Sequence, residues 1–342
     1  MATVTGTLVT NGTQTLVGMR EDLAEFISRT DPAETPFYSF CDEGTAKNSL
    51  AHDWQTVDLR NARRVPRPEG DTVTLDTPKK TVKLSNACEI IRGEYGISGT
   101  AQAVDTAGDT GSMNFQRLHF GMELRKDVEF MLLGPQNKKA TDTRESAGIQ
   151  AFAGVFSYGS GATTPGTGAS AGTVDVTQGT ARDLTMDILN TGLRSAWTGG
   201  ARTSVMFMSS AQKMGIDEVL PTDQLATGQS DLLKDGVLVA TTVAVWRSAF
   251  GDVKFVMDRI LDEGATDSAG DPITWGTGVI IGVDERGTYR PKVCTLPGRK
   301  FKTEPLGKRG DIDEELVVWE GTLEVPNPAA IAVIGGLNDP TA

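Results

Sequence analysis

The sequence predicts a mixed fold, α/β or α+β, in which helices and strands interleave on a compact body. Three observations point to it. A capped helical pattern runs from Ser112 to Pro135, helical and buried-strand patterns alternate from residue 178 to 296, and an alternating strand pattern returns at Glu315–Val325. The length of 342 residues suggests about two domains.

The N-terminal segment is predicted to be an arm rather than part of the core. Residues 1–18 are rich in Thr, Gly and Asn and show no helical periodicity. Extended at ~3.3 Å per residue, they would reach about 60 Å, well beyond the body. A short helix is predicted at Met19–Ser28, ended by the prolines that follow it. Three aromatic residues are then predicted to anchor the arm to the body: Phe37, Tyr38 and Phe40.

Residues Trp54–Leu84 predict a long β-hairpin. Two legs with strand-like patterns flank a tip at Arg60–Gly70 that is rich in Pro, Gly and Arg. Each leg has about 15 residues, or roughly 50 Å at ~3.3 Å per residue, which exceeds the radius of about 20 Å expected for the whole body. The hairpin must therefore protrude, although an isolated two-stranded ribbon is only marginally stable in water.

This hairpin is basic on an acidic protein. Between Trp54 and Ser85, seven basic residues against four acidic ones give a net charge of +3, which leaves −15 on the remainder of a chain whose net charge is −12. We expect the hairpin to lie on the acidic surface of a neighbouring copy, with a solvated loop as the alternative. The residues expected at this contact are Trp54, Arg60, Arg63, Arg64, Arg67, Lys79, Lys80 and Lys83.

Both ends of the long helix are marked in the sequence. The Ser112 hydroxyl can cap the first turn, Gly134 can adopt the left-handed conformation that closes the last turn, and Pro135 prevents continuation. The charged face is predicted to carry an (i, i+4) pair between Arg125 and Glu129. The apolar stripe is predicted to consist of Leu118, Phe120, Leu124, Val128 and Met131, widened by Met122 and Leu132.

The second half of the chain follows a Gly- and Ser-rich linker at residues 159–173. An amphipathic helix is predicted at Thr180–Trp197, ended by Gly199 and Gly200. The further predictions are a buried strand at 203–208, a helix at 210–220, strands at 237–246 and 253–257 around a Gly251-Asp252 turn, and a buried strand at 278–283.

Composition argues against several classes of function. The net charge of −12 disfavours a general phosphate-binding surface, which needs clustered Lys and Arg. The sequence shows neither a membrane-spanning run nor a secretion signal. Cys41, Cys88 and Cys294 lack the spacing of a metal site or a disulfide framework, so buried free thiols are expected. Neither a metal nor a cofactor is predicted, and only His52 and His119 are available for histidine chemistry.

Catalytic motifs are weak. Asp109-Thr110-Gly111 spells the triplet of aspartic proteases, but those enzymes need two such carboxylates after apolar strands, and this one precedes a helix. The acidic residues between Asp262 and Asp271 lack the alternate spacing of a calcium loop. An enzyme is therefore not predicted, and a hydrolase using Asp109 or the loop near Asp267 is kept as the alternative.

Several segments resemble the major capsid proteins of tailed double-stranded-DNA bacteriophages, in the subfamily without a fused scaffolding domain. These segments are Arg20–Phe40 (REDLAEFISRTDPAETPFYSF), Asp53–Leu59 (DWQTVDL), Ile97–Gly108 (ISGTAQAVDTAG), Phe115–Gly134 (FQRLHFGMELRKDVEFMLLG), Gly192–Gly200 (GLRSAWTGG), Phe250–Arg259 (FGDVKFVMDR) and Thr322–Leu337 (TLEVPNPAAIAVIGGL). They follow one another in order over nearly the whole chain. The resemblance implies the α+β capsid fold shared by tailed phages and herpesviruses.

That fold implies four regions. Residues 1–44 correspond to an N-terminal arm and residues 45–92 to an extended loop. Residues 93–177 and 297–342 correspond to a peripheral domain with a spine helix at 112–134, and residues 178–296 to an axial domain.

The function implied by the resemblance is self-assembly into hexamers and pentamers of an icosahedral shell. The shell encloses packaged double-stranded DNA without sequence-specific binding, and no membrane is involved. Scaffolding, portal and decoration proteins are candidate partners, and the expected location is the virion capsid, with assembly in the host cytoplasm. A minor virion component, such as a tail or decoration protein, is the alternative, for which the Gly- and Ser-rich linker is the best argument.

Overall fold

The computed structural model describes residues 34–73, 75–104, 112–141, 143–153, 155–157, 159–160, 176–220, 245–263, 265–266, 272–273, 278–287, 289–308 and 310–339. The predicted arm helix, almost all of the Gly- and Ser-rich linker, the Asp109 triplet and most of the 237–246 strand lie outside these residues.

The described residues contain both helices and strands in an α+β arrangement, which confirms the predicted mixed fold. The helices are α1 Pro36–Phe40, α2 Gly99–Ala103, α3 Met113–Leu133, α4 Ile149–Phe152, α5 Met186–Thr198, α6 Ser210–Val219 and α7 Arg259–Glu263, with a 3-10 turn at Pro328–Ala330. The strands are β1 Asp42–Thr45, β2 His52–Thr56, β3 Val82–Asn86, β4 Glu89–Ser98, β5 Lys139–Ala140, β6 Arg144–Glu145, β7 Val155–Ser157, β8 Val205–Met208, β9 Val245–Ser248, β10 Gly251–Met257, β11 Ala265–Thr266, β12 Pro272–Ile273, β13 Ile280–Val283, β14 Lys292–Thr295, β15 Lys302–Pro305, β16 Ile312–Glu324 and β17 Ala332–Ile334.

The first sheet is built around β16, a strand of 13 residues. Its order is β1-β14-β16-β15, and β4 also pairs with β16. The β4 pairing is antiparallel and runs from Ile312 opposite Ser98 to Gly321 opposite Glu89. Trp319 in the middle of β16 is fully buried. The strand predicted from the alternation at residues 315–325 is therefore confirmed as the central strand of a sheet.

The second sheet has the order β7-β17-β13-β8-β10-β9. β8 is buried along its whole length and pairs parallel with β10 and antiparallel with β13, as expected for the two predicted buried strands. Helices α5 and α6 confirm that both helices predicted in this half exist, and each begins at a side-chain cap, Thr185 and Ser209 respectively. α5 begins at Met186, six residues after the predicted Thr180, because Thr185 caps its first turn. The turn before β10 lies at residues 249–250 rather than at Gly251-Asp252, because Ser248 already pairs with Gly251.

Sheet membership does not follow the predicted domain limits. β14 falls in the predicted axial segment but pairs in the first sheet, whereas β7 and β17 fall in the predicted peripheral segments but pair in the second. One buried cluster joins Val128 of α3, Phe207 of β8 and Trp319 of β16. The two sheets therefore share a core, and the division of the chain into domains remains a prediction.

The long helix α3 begins as predicted but ends differently. The Ser112 hydroxyl accepts a hydrogen bond from the amide three residues on, at 3.1 Å. Gly134 is extended, with φ −65° and ψ 162°, and does not adopt the predicted left-handed conformation. Gln136 and Gln150 instead donate through Nε2 to carbonyl oxygens of the last turn, at 2.6 and 2.8 Å. Tertiary contacts therefore satisfy the helix end, which removes the need for a glycine cap.

The apolar stripe of α3 is only partly confirmed. Leu124, Val128 and Met131 are buried, and Phe120 is half-buried. Leu118, however, is 67% exposed. At 3.6 residues per turn, Leu118 lies about 160° around the helix from Phe120, so it cannot share the buried face of the first turns.

The predicted hairpin has a much shorter ladder than expected. β2 and β3 pair only from His52 opposite Asn86 to Thr56 opposite Val82, and the described residues between 57 and 81 contain no strand. Three prolines in this segment lack the N–H group that a ladder requires. Below, residues 52–56 with 82–86 are called the loop root, and residues 57–81 the outer loop.

None of the described helices is both long enough and apolar enough to cross a membrane.

Candidate assembly surfaces

Trp54 fixes the loop root to the body of its own subunit. The indole Nε1 donates a hydrogen bond to the Val325 carbonyl oxygen at 2.9 Å, and the ring packs against Phe152 with centroids 5.8 Å apart. Leu84, which faces Trp54 in the ladder, is buried. Trp54 was predicted to lie at the contact with a neighbouring copy. The contacts it makes in the structure attach the loop root to its own subunit, and so fix the position from which the outer loop extends.

The buried amide of Asn86 also fixes the loop root to the body, and this role was not predicted from the sequence. Its Nδ2 donates to Ser146 Oγ and the Ala147 carbonyl, both at 3.2 Å, and to the Leu323 carbonyl at 2.9 Å. Its Oδ1 accepts from the amides of Ala87 and Ala147 at 2.9 Å. All hydrogen-bonding capacity of the amide is used, which offsets its burial. The only sequence signal is a polar residue directly before an apolar run.

A group of charged and thiol side chains lies beside the loop root. Glu324 accepts hydrogen bonds from His52 at 2.8 Å and from Lys292 at 3.1 Å. These contacts, led by the one from His52, lower the pKa of the Glu324 carboxyl to about 2. Burial raises the pKa of the neighbouring Cys294 thiol to about 12. The three cysteines are all buried and free, as predicted.

The outer loop is exposed at every described residue. Its apolar side chains are among the most exposed of the described residues: Leu59 is 92%, Leu75 89% and Val73 83% exposed. Leaving such side chains in water forgoes about 1.5–3 kcal/mol each relative to full burial. Several exposed apolar residues on one projecting segment are typical of a surface that binds a protein partner.

The predicted basic residues lie on the same segment. Arg60, Arg63, Arg64, Arg67, Lys79 and Lys80 are exposed in the outer loop, and Lys83 is exposed in the loop root. Arg63 forms an ion pair with Asp76, and Arg67 with Asp71 at 3.2 Å. Lys83 pairs with Asp53 at 2.7 Å. Part of the positive charge is thus balanced by acidic residues of the outer loop and the loop root.

The predicted anchor residues pack on the body where the arm joins it. Phe37 is fully buried and meets the Phe207 ring edge-on, with centroids 5.2 Å apart. Phe40 contacts the same ring at 5.4 Å, and Tyr38 lies 6.2 Å from the Phe301 ring. The chain that follows the arm is therefore held by aromatic packing between the two sheets.

Glu129 holds the first turn of α1 in place. It is fully buried, and its carboxyl oxygens accept hydrogen bonds from the amides of Phe37 and Tyr38 at 2.6 and 2.5 Å. The prediction that Glu129 pairs with Arg125 on a charged face is wrong, because the C-terminal half of α3 is enclosed by α1 as well as by the sheet. Arg125 instead lies over the Tyr38 ring, 5.4 Å from its centroid.

A second buried carboxyl faces Glu129. Burial raises the pKa of Glu129 well above its ordinary range, and the neighbouring Asp258 raises it further. Burial likewise raises the pKa of Asp258, whose Oδ1 accepts from the Ile260 amide at 3.0 Å. Burial therefore disfavours ionisation of both carboxyls, and a negative charge on Asp258 further disfavours ionisation of Glu129. This pair connects α1 and α3 to the end of β10.

The second sheet and its helices carry a separate set of exposed apolar side chains. These are Trp197 at the end of α5, Met214 on α6, and Val245 and Met257 at strand ends, each half or more exposed. They lie at a distance in sequence from the outer loop, and their exposure marks each of them as an individual candidate for contact with another chain.

Comparison with solved structures identifies the fold. The fold is that of tailed-phage capsid subunits. A chain of Gordonia phage Cozz aligns with a TM-score of 0.59 and 10% identity over 98% of each chain. The capsid asymmetric unit of cyanophage A-1(L) aligns with a TM-score of 0.60 and 14% identity over 93% of this chain and 97% of that one. At these identities the likeness establishes the fold.

Sequence comparison then gives the family. The SU10 major capsid protein family matches residues 3–338, so the chain belongs to this family. The major capsid protein of Escherichia phage Phieco32 is 31% identical over 124 residues, which is 35% of this chain and 34% of that protein. The matched part thus spans about a third of this relative's length. These findings confirm the resemblance to phage major capsid proteins that was inferred from the sequence.

Proposed function

We propose that this chain is the shell-forming subunit of a virion and assembles into hexamers and pentamers of an icosahedral shell around packaged double-stranded DNA. The observation that carries the proposal is the outer loop. It starts from a root that is fixed by Trp54 and Asn86, and every described residue of it is exposed. Membership of a major capsid protein family supports the same conclusion.

The chemistry of the outer loop suits a neighbouring copy of the chain. Leu59, Val73 and Leu75 can each stabilise a contact by about 1.5–3 kcal/mol when buried. The basic residues beside them face a subunit whose remaining residues carry a net charge of −15, given −12 for the whole chain and +3 for Trp54–Ser85. Opposite charge favours this pairing and fixes its orientation. The same contact, repeated around a ring, generates a closed capsomer.

The proposal gives the other regions of the chain the roles that the capsid fold implies for them. Residues 1–44 act as an arm on a neighbouring subunit, residues 45–92 as the extended loop, and residues 178–296 as the axial domain at capsomer centres. Scaffolding, portal and decoration proteins are partners of the shell, which assembles in the host cytoplasm. The shell holds DNA without reading its sequence, consistent with the acidic composition. The role is structural, and no catalytic step is assigned to the chain.

The loop contact can be tested by deleting residues 60–70 and viewing the overexpressed protein by electron microscopy. The parent chain should form shells, tubes or capsomers. The deletion should leave a folded, helical subunit that fails to form them, because the loop root and its contacts are kept. A second variant, L59S/L75S, keeps the length of the loop and removes only two exposed leucines.

The matched control is Leu118→Ser, since Leu118 is also a largely exposed leucine but lies on α3. This control should assemble like the parent, while L59S/L75S should lose assembly. Normal shells from both loop variants would overturn the role of the loop. Failure of the parent chain itself to form any regular assembly would count against the shell-forming role.

Stoichiometry separates the shell subunit from a minor virion component. A shell protein must dominate the protein mass of purified virions, whereas a tail or decoration protein would be a small fraction. Quantitative gel or mass-spectrometric analysis of virions measures this directly. A minor share for this chain would favour the alternative.

A further inference from the structure

Three potential metal ligands from distant parts of the chain meet beside the loop root. His52 lies on β2, Cys294 on β14 and Glu324 at the end of β16. The His52 Nε2 atom is 2.8 Å from Glu324 Oε2, and Cys294 Sγ is 3.5 Å from the same oxygen. All three ligand atoms lie within 4.8 Å of one another. The sequence does not predict this group, because its three residues lie far apart along the chain.

We propose that His52, Cys294 and Glu324 form a binding site for one divalent cation of the zinc type. Zn²⁺ binds imidazole nitrogen, thiolate sulfur and carboxylate oxygen at ~2.0–2.3 Å in a tetrahedral arrangement. Ligand atoms around such an ion are about 3.3–3.8 Å apart by tetrahedral geometry. The distances of 2.8 and 3.5 Å lie near this range, so small side-chain movements suffice. The ion takes the place of the hydrogen bond between His52 and Glu324.

The mixture of donors selects the class of ion. Ca²⁺ and Mg²⁺ prefer oxygen ligands, whereas a site with one sulfur and one nitrogen favours borderline-soft cations. A thiolate and a carboxylate supply two negative charges to offset those of the ion. A solvent molecule completes the tetrahedron, as in sites with three protein ligands.

Neighbouring residues hold the side chains of Glu324 and Cys294 in place. Lys292 Nζ holds the other carboxylate oxygen of Glu324 at 3.1 Å, which leaves Oε2 directed at the other two ligands. Cys294 is buried in a small cluster with Ala46 and Cys88. Gly44 provides the room for the thiol, since a Cβ atom at that position would lie only 2.4 Å from the Cys294 sulfur.

The three ligands come from two parts of the fold, so a bound ion would stabilise the contact between them. His52 belongs to the loop root, whereas Cys294 and Glu324 belong to the first sheet. A bound cation therefore connects the base of the extended loop to the body of the subunit. Because the ion binds the folded chain, its removal should lower the thermal unfolding temperature.

The test uses full-length protein without a histidine tag, treated with a chelator and then titrated with Zn²⁺ or Co²⁺. One ion should bind per chain, the unfolding temperature should rise with Zn²⁺, and Co²⁺ should give the absorption of a tetrahedral thiolate complex. His52→Ala and Cys294→Ser should weaken binding at least tenfold. The controls are His119→Ala, the other histidine, and Cys41→Ser, a buried thiol elsewhere, and both should bind like the parent.

Zn²⁺ X-ray absorption of the parent protein keeps the test decisive if a variant fails to fold. The expected result is one sulfur at ~2.3 Å together with nitrogen or oxygen at ~2.0–2.2 Å. The proposal is overturned if the parent binds no ion at micromolar Zn²⁺, if the spectrum contains no sulfur, or if the two control variants lose the ion as the ligand variants do. None of these outcomes depends on shell formation.

Discussion

Replacing Glu89 with Gln should stabilise the protein at alkaline pH and leave it unchanged at acidic pH. Glu89 lies at the start of β4, and its carboxylate accepts a hydrogen bond from the Ser146 amide at 2.9 Å. Burial raises the pKa of this carboxyl from 4.5 to about 7, and Glu145 adds to the shift, whereas Ser146 and Lys139 oppose it. Gln keeps the acceptor oxygen and removes the charge.

The sign and size of the effect follow from the two pKa values. Below pH 4.5 the carboxyl is protonated in both states and has no effect on the free energy of unfolding. Between pH 4.5 and about 7 the folded chain holds a proton that the unfolded chain has lost, so stability falls as the pH rises. The shift from 4.5 to about 7 corresponds to a full penalty above pH 7 of about 3.5 kcal/mol at ~1.4 kcal/mol per pKa unit. With an unfolding entropy of ~2.1 cal/mol/K per residue over 342 residues, this penalty lowers the melting temperature by about 5 °C.

The measurement is thermal unfolding of parent and E89Q protein at pH 4.5 and pH 8.5, in the same assembly state and at the same concentration. The variant should melt about 5 °C higher at pH 8.5 and within about 1 °C of the parent at pH 4.5. Glu145→Gln is the matched control, because Glu145 forms an ion pair with Lys139 at 2.6 Å near the surface, and its loss should change stability by at most about 1 kcal/mol. Equal shifts at both pH values, or a lower melting temperature for E89Q at pH 8.5, would refute the assigned burial cost.

Two other predictions concern packing and capping. Phe37→Ala should lower the free energy of unfolding by about 3–5 kcal/mol, because the side chain is fully buried, while the exposed Leu118→Ala should change it by less than about 0.5 kcal/mol in denaturant titrations. Equal losses would contradict the burial of Phe37. Ser112→Ala should lower the free energy of unfolding by about 1 kcal/mol, because the α3 cap is lost. Ser112→Asp should recover most of this free energy, since Asp also caps a helix. An unchanged unfolding midpoint in S112A would contradict the capping role.

Elements with strong local signals were predictable from the sequence. The structure confirms the start of α3 and the α6 helix, each of which begins at a capping serine. It also confirms the β8 strand, which the sequence marks by a continuous apolar run. The central strand β16 was also predictable, although the alternation that predicted it does not match its burial, because residues 317–323 are all buried. The family resemblance then supplied the fold that these local patterns could not assemble.

Features decided by distant contacts were not predictable. Glu129 has charged neighbours in sequence and reads as a surface residue, but α1 covers it and uses its carboxyl as a cap. The end of α3 depends on Gln150, which reaches it from a later segment. The candidate metal site needs residues 52, 294 and 324 together, and only the sheet order brings them there. The basic residues of the outer loop were predicted to contact a neighbouring copy; they are exposed, and that contact remains a prediction.

Because the strand ladder is confined to the loop root, folding of the subunit and docking of the outer loop are separate steps in the proposed assembly. The five-residue ladder and the Asn86 contacts belong to the folded subunit, so they form when the chain folds. The described residues between 57 and 81 form no strand ladder, and in the proposed docking their contacts with a neighbour form only on assembly. Any backbone order that they gain at that step costs roughly 1–2 kcal/mol per residue, which offsets part of the free energy of burial and keeps each proposed contact weak. In the proposed shell, misplaced subunits can then detach during growth, and durability comes from the number of contacts rather than from the strength of any one.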